Sequence, residues 1–248
     1  MSKVLVLLAA APLAACSTDT PPTPLAQLSG TSVDLTTTNE AKLIQPGFTA
    51  YTTLTIAGPE GDCIKLGDDV TADLDGVHME VDSRGGPWSN WGDSGCELPS
   101  FRLPEPTAAN GTSTLLIRDS ATTWTITGVD LFTNDFALVD APIAGEHARV
   151  VWQSASTIAN GAYGQFEQNG NVMFNDVFNA AGNTIDIALP AGVTGAGTLS
   201  INAARSVPAT RCEGPATCTL YITAGADLST TIASAPVKPQ DAPDVVRR

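Results

Sequence analysis

The sequence predicts an all-β protein built from two small antiparallel β-sandwich domains in tandem. Its 248 residues include 22 Gly and 17 Pro, and only 15% of them are charged. Short runs rich in Thr, Val, Ile and aromatic residues alternate with turn residues along most of the chain. This composition disfavours long helices and favours short strands joined by turns. No long amphipathic helix interrupts the pattern.

Individual strands are indicated by alternation of apolar and polar residues and by the turns between them. Asp75-Gly76 and Asn169-Gly170 each separate two β-like runs and suit the positive φ angles of tight hairpin turns. Many strands at short spacing are typical of sandwiches, here of immunoglobulin-like type. The predicted strands are residues 33–38, 48–56, 70–74, 77–81, 114–117, 123–127, 136–139, 148–153, 163–168, 171–174, 184–188, 198–202, 219–223 and 228–232.

A weak internal repeat predicts where the two domains divide. Leu103-Pro104 and the strands after it are matched by Leu189-Pro190 and its following strands, with segment 207–218 as an insertion in the second copy. We therefore expect a first domain over residues 30–141 and a second over 142–234. Residues 235–248 are polar and proline-rich, which predicts a disordered tail.

The N terminus predicts export from the cytoplasm. Lys3 precedes an apolar run, residues 4–15, that is too short to span a membrane and is typical of a secretory signal. The run ends in Leu13-Ala14-Ala15-Cys16, which resembles the lipobox of bacterial lipoproteins. In that family the signal is removed before the cysteine, which then carries lipid. The resemblance covers residues 1–16 and implies a signal peptide over 1–15, a lipid anchor at Cys16 and a location in the cell envelope.

The residues after Cys16 refine this expectation. In enteric bacteria an Asp at the next position retains lipoproteins at the inner membrane, so by that analogy Ser17 implies the outer membrane. Residues 16–29 are rich in Pro, Ser and Thr, which predicts a flexible tether that holds the folded part off the membrane. The net charge of −14 argues against binding to nucleic acid or to anionic lipid.

The cysteine count is consistent with lipidation. Of five cysteines, Cys16 is assigned to the anchor, which leaves four for disulfides. Four cysteines allow three pairings, and sequence proximity favours Cys63–Cys96 and Cys212–Cys218. An oxidising envelope compartment makes disulfides the default state. The second pair is expected to staple the insertion at 207–218.

Two tryptophans are the strongest candidates for a binding site. Trp88 and Trp91 lie in a Gly-rich segment inside the span closed by Cys63 and Cys96. Exposed tryptophans on a rigid loop can stack on sugar rings or anchor a protein partner. The alternative is that one or both fold back and cap the core. The partner, a protein or a glycan, is left open.

Four carboxylates form a weaker candidate for a metal site. Asp68, Asp69, Asp73 and Asp75 are clustered in sequence, and calcium takes carboxylate and carbonyl oxygens. The spacing lacks the later ligands of an EF-hand loop, so a solvated acidic hairpin is the alternative. His78 fits the exposed face of the same hairpin.

No complete catalytic set is visible, and we predict a non-enzymatic binding or structural module without a cofactor. The two histidines, His78 and His147, do not belong to a metal-ligating pattern. The alternative is an envelope hydrolase of glycosidase type that uses an acidic pair within residues 68–97, because two carboxyls across a groove can perform glycoside chemistry.

Overall fold

The structure, a computed structural model, describes residues 20–39, 51–59, 62–90, 93–103, 111–131, 133–155 and 157–236. Within these ranges the chain forms β-strands and one short 3₁₀ helix, Leu25–Gln27. The all-β prediction is confirmed. No helix in the described ranges is long and apolar enough to cross a membrane. Cys16, Trp91 and the tail beyond residue 236 lie outside the described residues.

The strands are numbered in chain order. They are β1 (Ser32–Asn39), β2 (Tyr51–Ala57), β3 (Thr71–Leu74), β4 (Val77–Ser83), β5 (Gly86–Asn90), β6 (Asp93–Glu97), β7 (Ser100–Leu103), β8 (Thr112–Arg118), β9 (Thr123–Val129), β10 (Phe136–Leu138), β11 (His147–Trp152), β12 (Ala159–Gln168), β13 (Asn171–Ala181), β14 (Thr184–Ala188), β15 (Gly195–Pro208), β16 (Arg211–Glu213) and β17 (Thr217–Ile232).

Two tight hairpin turns form where the sequence predicts them. Asp75 and Gly76 have φ angles of 51° and 81° between β3 and β4, and Asn169 and Gly170 have 51° and 79° between β12 and β13. Asn, Asp and Gly tolerate these left-handed conformations, which match the twist of the flanking strands. The sequence signal therefore identifies both hairpins.

One hydrogen-bonded sheet connects most of the strands. Its order is β10-β11-β14-β13-β12-β15-β17-β1-β2-β7-β4-β3-β8-β9-β16, while β5 and β6 form a separate two-stranded sheet. Every pairing between these strands is antiparallel except that of β1 with β17, which is parallel. The inward residues of alternating strands, such as Leu54, Ile117 and Trp124, meet in one buried core. Trp124 and Trp152 are both buried.

The two longest strands connect the two predicted domains. β15 has 14 residues and β17 has 16, far above the usual five or six. The first part of β17, from Thr217, pairs with β1, whereas its last part, to Ile232, pairs with the start of β15. The short β16, between them in sequence, pairs with β9. Residues 204–224, predicted as part of the second domain, therefore extend the sheet of the first, and the division at 141/142 stays a prediction about sequence.

A buried arginine joins the two predicted domains. Arg205, on β15, is 6% exposed, and its guanidinium donates hydrogen bonds to the backbone oxygens of Asp130 and Ser154. It also lies 5.1 Å from the ring of Trp152, which in turn stacks on Phe136. Burial lowers the pKa of Arg205, and the negative charges of Asp130 and Asp135 oppose this shift. The contact holds together residues on both sides of the boundary.

The predicted tether is shorter than expected. Leu25 and Leu28 fall within residues 16–29, yet they are 1% and 6% exposed and belong to the core. The N–H of Thr23 donates to the oxygen of Lys65 at 2.8 Å. The prediction of a flexible segment over 16–29 is therefore wrong for residues 23–28, because two leucines spaced by three residues bury an apolar face. The prediction rested on the Pro, Ser and Thr content of the segment and did not take the two leucines into account.

Candidate functional site

Trp88 lies on the hairpin formed by β5 and β6. In the hairpin register Trp88 is opposite Gly95. A Cβ atom added to Gly95 would lie 3.0 Å from the indole Nε1, so the ring rests directly against this glycine. The side chain remains 46% exposed. One side of the indole is therefore supported by backbone, and much of the rest is open to solvent.

The base of this hairpin is fixed at several points. Cys96 pairs with Cys63 in a disulfide whose Cα atoms are 5.0 Å apart. Gly85 forms an isolated bridge with Lys65 and has a φ angle of 75°. A Cβ at Gly85 would lie 2.4 Å from the backbone oxygen of Ile64, so the close approach of these two segments of the backbone requires glycine.

Arg84 adds a further connection just before the hairpin. Its Nη1 donates to the oxygen of Val70 at 2.6 Å, and its own backbone oxygen accepts from the N–H of Leu66 at 2.8 Å. These contacts tie the hairpin to the turn that precedes β3. An aromatic side chain held on such a fixed base loses little conformational entropy when it binds.

The acidic residues of the calcium candidate are directed to separate partners. Asp73 contacts Arg118 and His78, and the carboxylate of Asp75 accepts from the N–H of Thr114 at 2.6 Å. Among the described residues, no group of three or more His, Cys, Asp or Glu side chains is arranged to hold a metal ion. The contacts therefore give no support to calcium binding by Asp68, Asp69, Asp73 and Asp75.

The two histidines also form local pairs on exposed strands. His78 Nδ1 lies 3.1 Å from Asp73 Oδ1, and His147 Nδ1 lies 2.9 Å from Asp186 Oδ1. Each pair joins neighbouring strands, β3 with β4 and β11 with β14. Their exposure matches the sequence-based interpretation of a solvated strand face for His78.

The N-terminal segment lines a hollow of about 270 Å³. The hollow also includes Val70, whose backbone oxygen accepts the hydrogen bond from Arg84. Pro22 and Pro24 form one wall, and the turns that contain Gly67 and Asp119 form the other. Asp119 Oδ2 accepts from the N–H of Leu25 at 2.9 Å. Desolvation is the largest single influence on the pKa of Asp119 and raises it, but backbone hydrogen bonds from Ala121, Leu25 and Thr122 together hold this pKa below its usual value.

Sequence reasoning missed a second polar surface on the sheet. Tyr51, Thr53, Asp82 and Arg102 line a shallow hollow of about 260 Å³, and the guanidinium of Arg102 lies 6.0 Å from the centre of the Tyr51 ring. These residues come from β2, β4 and β7, which are neighbours in the sheet but not in the chain. Only the strand register brings them together, so no pattern within one segment could have found them.

The comparisons with known proteins name no family. No protein-family profile matches the chain, and no curated protein matches it. A search of solved structures finds similarity to titin Ig tandem domains A164-A165, at 10% identity, covering 84% of this chain and 95% of that chain, with a TM-score of 0.21. A TM-score this low carries no argument about fold or function. The all-β fold rests on the strands themselves, and the immunoglobulin-like topology stays a prediction.

Proposed function

We propose that this chain is a lipid-anchored, non-enzymatic binding module of a bacterial cell envelope, located at the outer membrane, and that the Trp88 hairpin is its binding surface. The observation that carries the proposal is the exposed indole of Trp88, supported by Gly95 on a hairpin that the Cys63–Cys96 disulfide attaches to the segment before β3. A large apolar ring left open to solvent on a fixed base is typical of a contact residue.

Two features support an envelope location. The sequence Leu13-Ala14-Ala15-Cys16 resembles a lipobox, and the remaining four cysteines form the two local disulfides, Cys63–Cys96 and Cys212–Cys218. Disulfides are typical of proteins in oxidising compartments. The partner is an envelope component that contacts Trp88.

The alternative of a hydrolase receives no comparable support. Asp73 and Asp75, the central carboxylates of the 68–97 region, are engaged by Arg118 and by the N–H of Thr114. A glycosidase needs two carboxyl groups that face each other across a substrate groove. No contact among the described acidic residues favours that arrangement over a charged strand surface.

The anchor is tested by replacing Cys16 with Ser. We expect the wild-type protein to fractionate with membranes and its N-terminal peptide to carry lipid by mass spectrometry. The Cys16→Ser variant should be released into the soluble fraction with its fold unchanged. An unmodified N terminus in the wild type would contradict the lipoprotein proposal.

The binding surface is tested separately with purified envelope material. The folded chain without lipid should be retained on envelope fractions, and Trp88→Ala should abolish retention while the melting temperature stays the same. Val177→Ala is a matched control, because Val177 is an apolar residue 66% exposed on β13. Equal retention of the wild type and Trp88→Ala would show that the hairpin is not the binding surface.

A further inference from the structure

We propose that the Trp88 hairpin faces the membrane that carries the anchor, and that its partner is the headgroup layer of that bilayer. This proposal rests on the lipidation of Cys16 and on the Trp88 binding surface proposed above. It names the envelope component that contacts the indole. It also assigns an orientation to the molecule, with the first predicted domain close to the membrane and the second far from it.

The N-terminal segment has a limited reach. Thr23 is fixed to the folded part by its hydrogen bond to Lys65. Only seven residue steps separate it from Cys16, and a fully extended chain spans at most about 3.6 Å per residue, or about 25 Å in all. A lipid at Cys16 would therefore keep Thr23 within about 25 Å of the bilayer surface.

The Trp88 hairpin lies close to Thr23. Lys65, which accepts the hydrogen bond from Thr23, is also the bridge partner of Gly85, and Gly85 directly precedes β5. Two backbone pairings of about 5 Å each and three strand residues of about 3.3 Å place Trp88 within about 20 Å of Thr23. Thr23 and the exposed indole are thus close to each other in the folded chain.

The strand directions show where the second predicted domain lies relative to the N-terminal segment. β1 begins at Ser32, a few residues after the anchored segment, and Ser32 pairs with Thr217 at the start of β17. β17 then continues to Ile232, which pairs with Gly195 in the second predicted domain. At about 3.3 Å per residue its 16 residues span about 50 Å. The second predicted domain therefore extends away from Ser32, where the N-terminal segment enters the sheet.

The side chains of the hairpin suit contact with a headgroup layer. Tryptophan is favoured at membrane interfaces, where its apolar ring and its polar N–H both find suitable surroundings. Leu98, just after β6, is a second exposed apolar side chain, at 41%. The net charge of −14 opposes attraction to anionic lipid, so the contact must depend on the aromatic ring and on proximity rather than on charge.

Tethering explains how a single ring can suffice. A short flexible link gives an effective concentration in the millimolar range, so a contact that holds the free chain on a membrane only in part becomes fully populated once the chain is anchored. Of the possible partners, the bilayer is the one surface that the anchor itself guarantees to be within reach.

The experiment attaches the mature chain to phosphatidylcholine vesicles by coupling the thiol of Cys16 to a maleimide lipid. The other four cysteines are held in disulfides and do not react. The emission of Trp88 is obtained as the difference between the wild type and Trp88→Phe. Lipids brominated near the headgroup should quench this difference signal, and the Val177→Ala control should behave as the wild type does.

A second variant tests the role of the short tether. Inserting a Gly/Ser segment after Ser17 that lengthens the link from seven to about fifty residues should lower the effective headgroup concentration roughly 3-fold, because the reachable volume grows as about the 3/2 power of length and the reachable bilayer area grows in proportion to length. Quenching of Trp88 should decrease accordingly. Unchanged quenching would show that the tether does not position the hairpin, which would overturn the proposal.

The outcomes separate this inference from the proposed function. If brominated lipid does not quench Trp88 while envelope glycan or protein still retains the wild type and not Trp88→Ala, the hairpin binds a different partner and only the membrane proposal is overturned. If Trp88→Ala also changes no retention, both proposals are overturned.

Discussion

Two hairpins of this molecule each carry a disulfide, but they differ in what else holds them. β5 and β6 pair only with each other within the described structure, and Cys63–Cys96 attaches them to the segment before β3. β15 and β17 are central strands that pair with β12 and β1, and Cys212–Cys218 closes the short segment between them. The first disulfide holds an exposed surface in place, whereas the second reinforces a region that the sheet already holds.

Trp88 and Trp152, which contacts the second hairpin from β11, show the same difference. Trp88 on the first hairpin is exposed, whereas Trp152 is fully buried beside Arg205 of β15. Both lie in strands, so secondary structure does not distinguish them. The difference is whether other parts of the chain cover the ring. It is the reason why we propose binding for Trp88 and expect a structural role for Trp152.

The largest effect is expected at the buried ring. Trp152→Ala should lower the free energy of unfolding by about 3–5 kcal/mol, because it removes a buried aromatic side chain and leaves a cavity beside Phe136 and Arg205. Trp88→Ala should change it by less than about 0.5 kcal/mol, as is usual for surface substitutions. Urea denaturation of both variants measures the contrast, and equal losses would contradict the comparison.

The next largest losses of unfolding free energy are expected on removal of the two disulfides. In the chain-entropy model, loss of Cys63–Cys96, with its sequence separation of 33, costs about 4 kcal/mol, and loss of Cys212–Cys218, with a separation of 6, costs about 2. Paired Cys→Ser variants test this. The first pair should also abolish envelope retention, whereas the second should leave it intact at temperatures where the chain is folded. Loss of retention in both would remove the distinction between the hairpins.

A smaller effect is expected from the residue beneath the indole. Gly95→Val places a branched side chain where the ring of Trp88 now rests, since even a Cβ would be 3.0 Å from Nε1. The ring must move, so envelope retention should fall while the unfolding free energy changes by less than about 1 kcal/mol. Gly192→Ala is the control, because nothing lies within 4 Å of its added Cβ. Retention equal to that of the wild type would show that the supported position of the ring is not required.

The smallest effect concerns pH and the β1–β17 pairing. Partial burial raises the pKa of Asp34, and a hydrogen bond from Thr219 partly offsets the shift. Because the folded chain holds this proton more tightly than the unfolded chain, the contribution of Asp34 to stability falls as the pH rises from its usual value of 3.8 through the raised folded value.

Asp34→Asn should therefore remove this part of the pH dependence and slightly stabilise the protein at neutral pH. Denaturation curves of the variant and the wild type across the acid range measure the difference. Asp82→Asn, at an exposed position of β4, is the matched control. A loss of stability at neutral pH on replacing Asp34 would contradict the predicted direction of its pH-dependent contribution.

The sequence predicted what depends on local chemistry. The Asp75-Gly76 and Asn169-Gly170 turns, the all-β class and both local disulfides are found in the structure. It was less reliable where distant segments meet. The parallel pairing of β1 with β17 joins residues 185 positions apart, such as Ser32 and Thr217, and no short pattern specifies it.

Burial was also predicted incompletely. Residues 77–81 alternate as a half-buried strand should, yet Met79 is fully buried whereas Val77 and Val81 are about two-fifths exposed. β4 pairs with β3 along its first part and with β7 along its last part, so the strand changes neighbours and its apolar face is not covered throughout. At the candidate site, the sequence identified Trp88, but the contact with Gly95 depends on hairpin register.

The most direct test of this account is the accessibility of Trp88. Iodide quenching should remove a component of the fluorescence in the wild type that is missing in Trp88→Phe, because Trp124 and Trp152 are buried and Trp91 is present in both proteins. Identical quenching curves for the wild type and Trp88→Phe would show that the Trp88 indole is covered, and would contradict the central claim that it is the exposed binding surface.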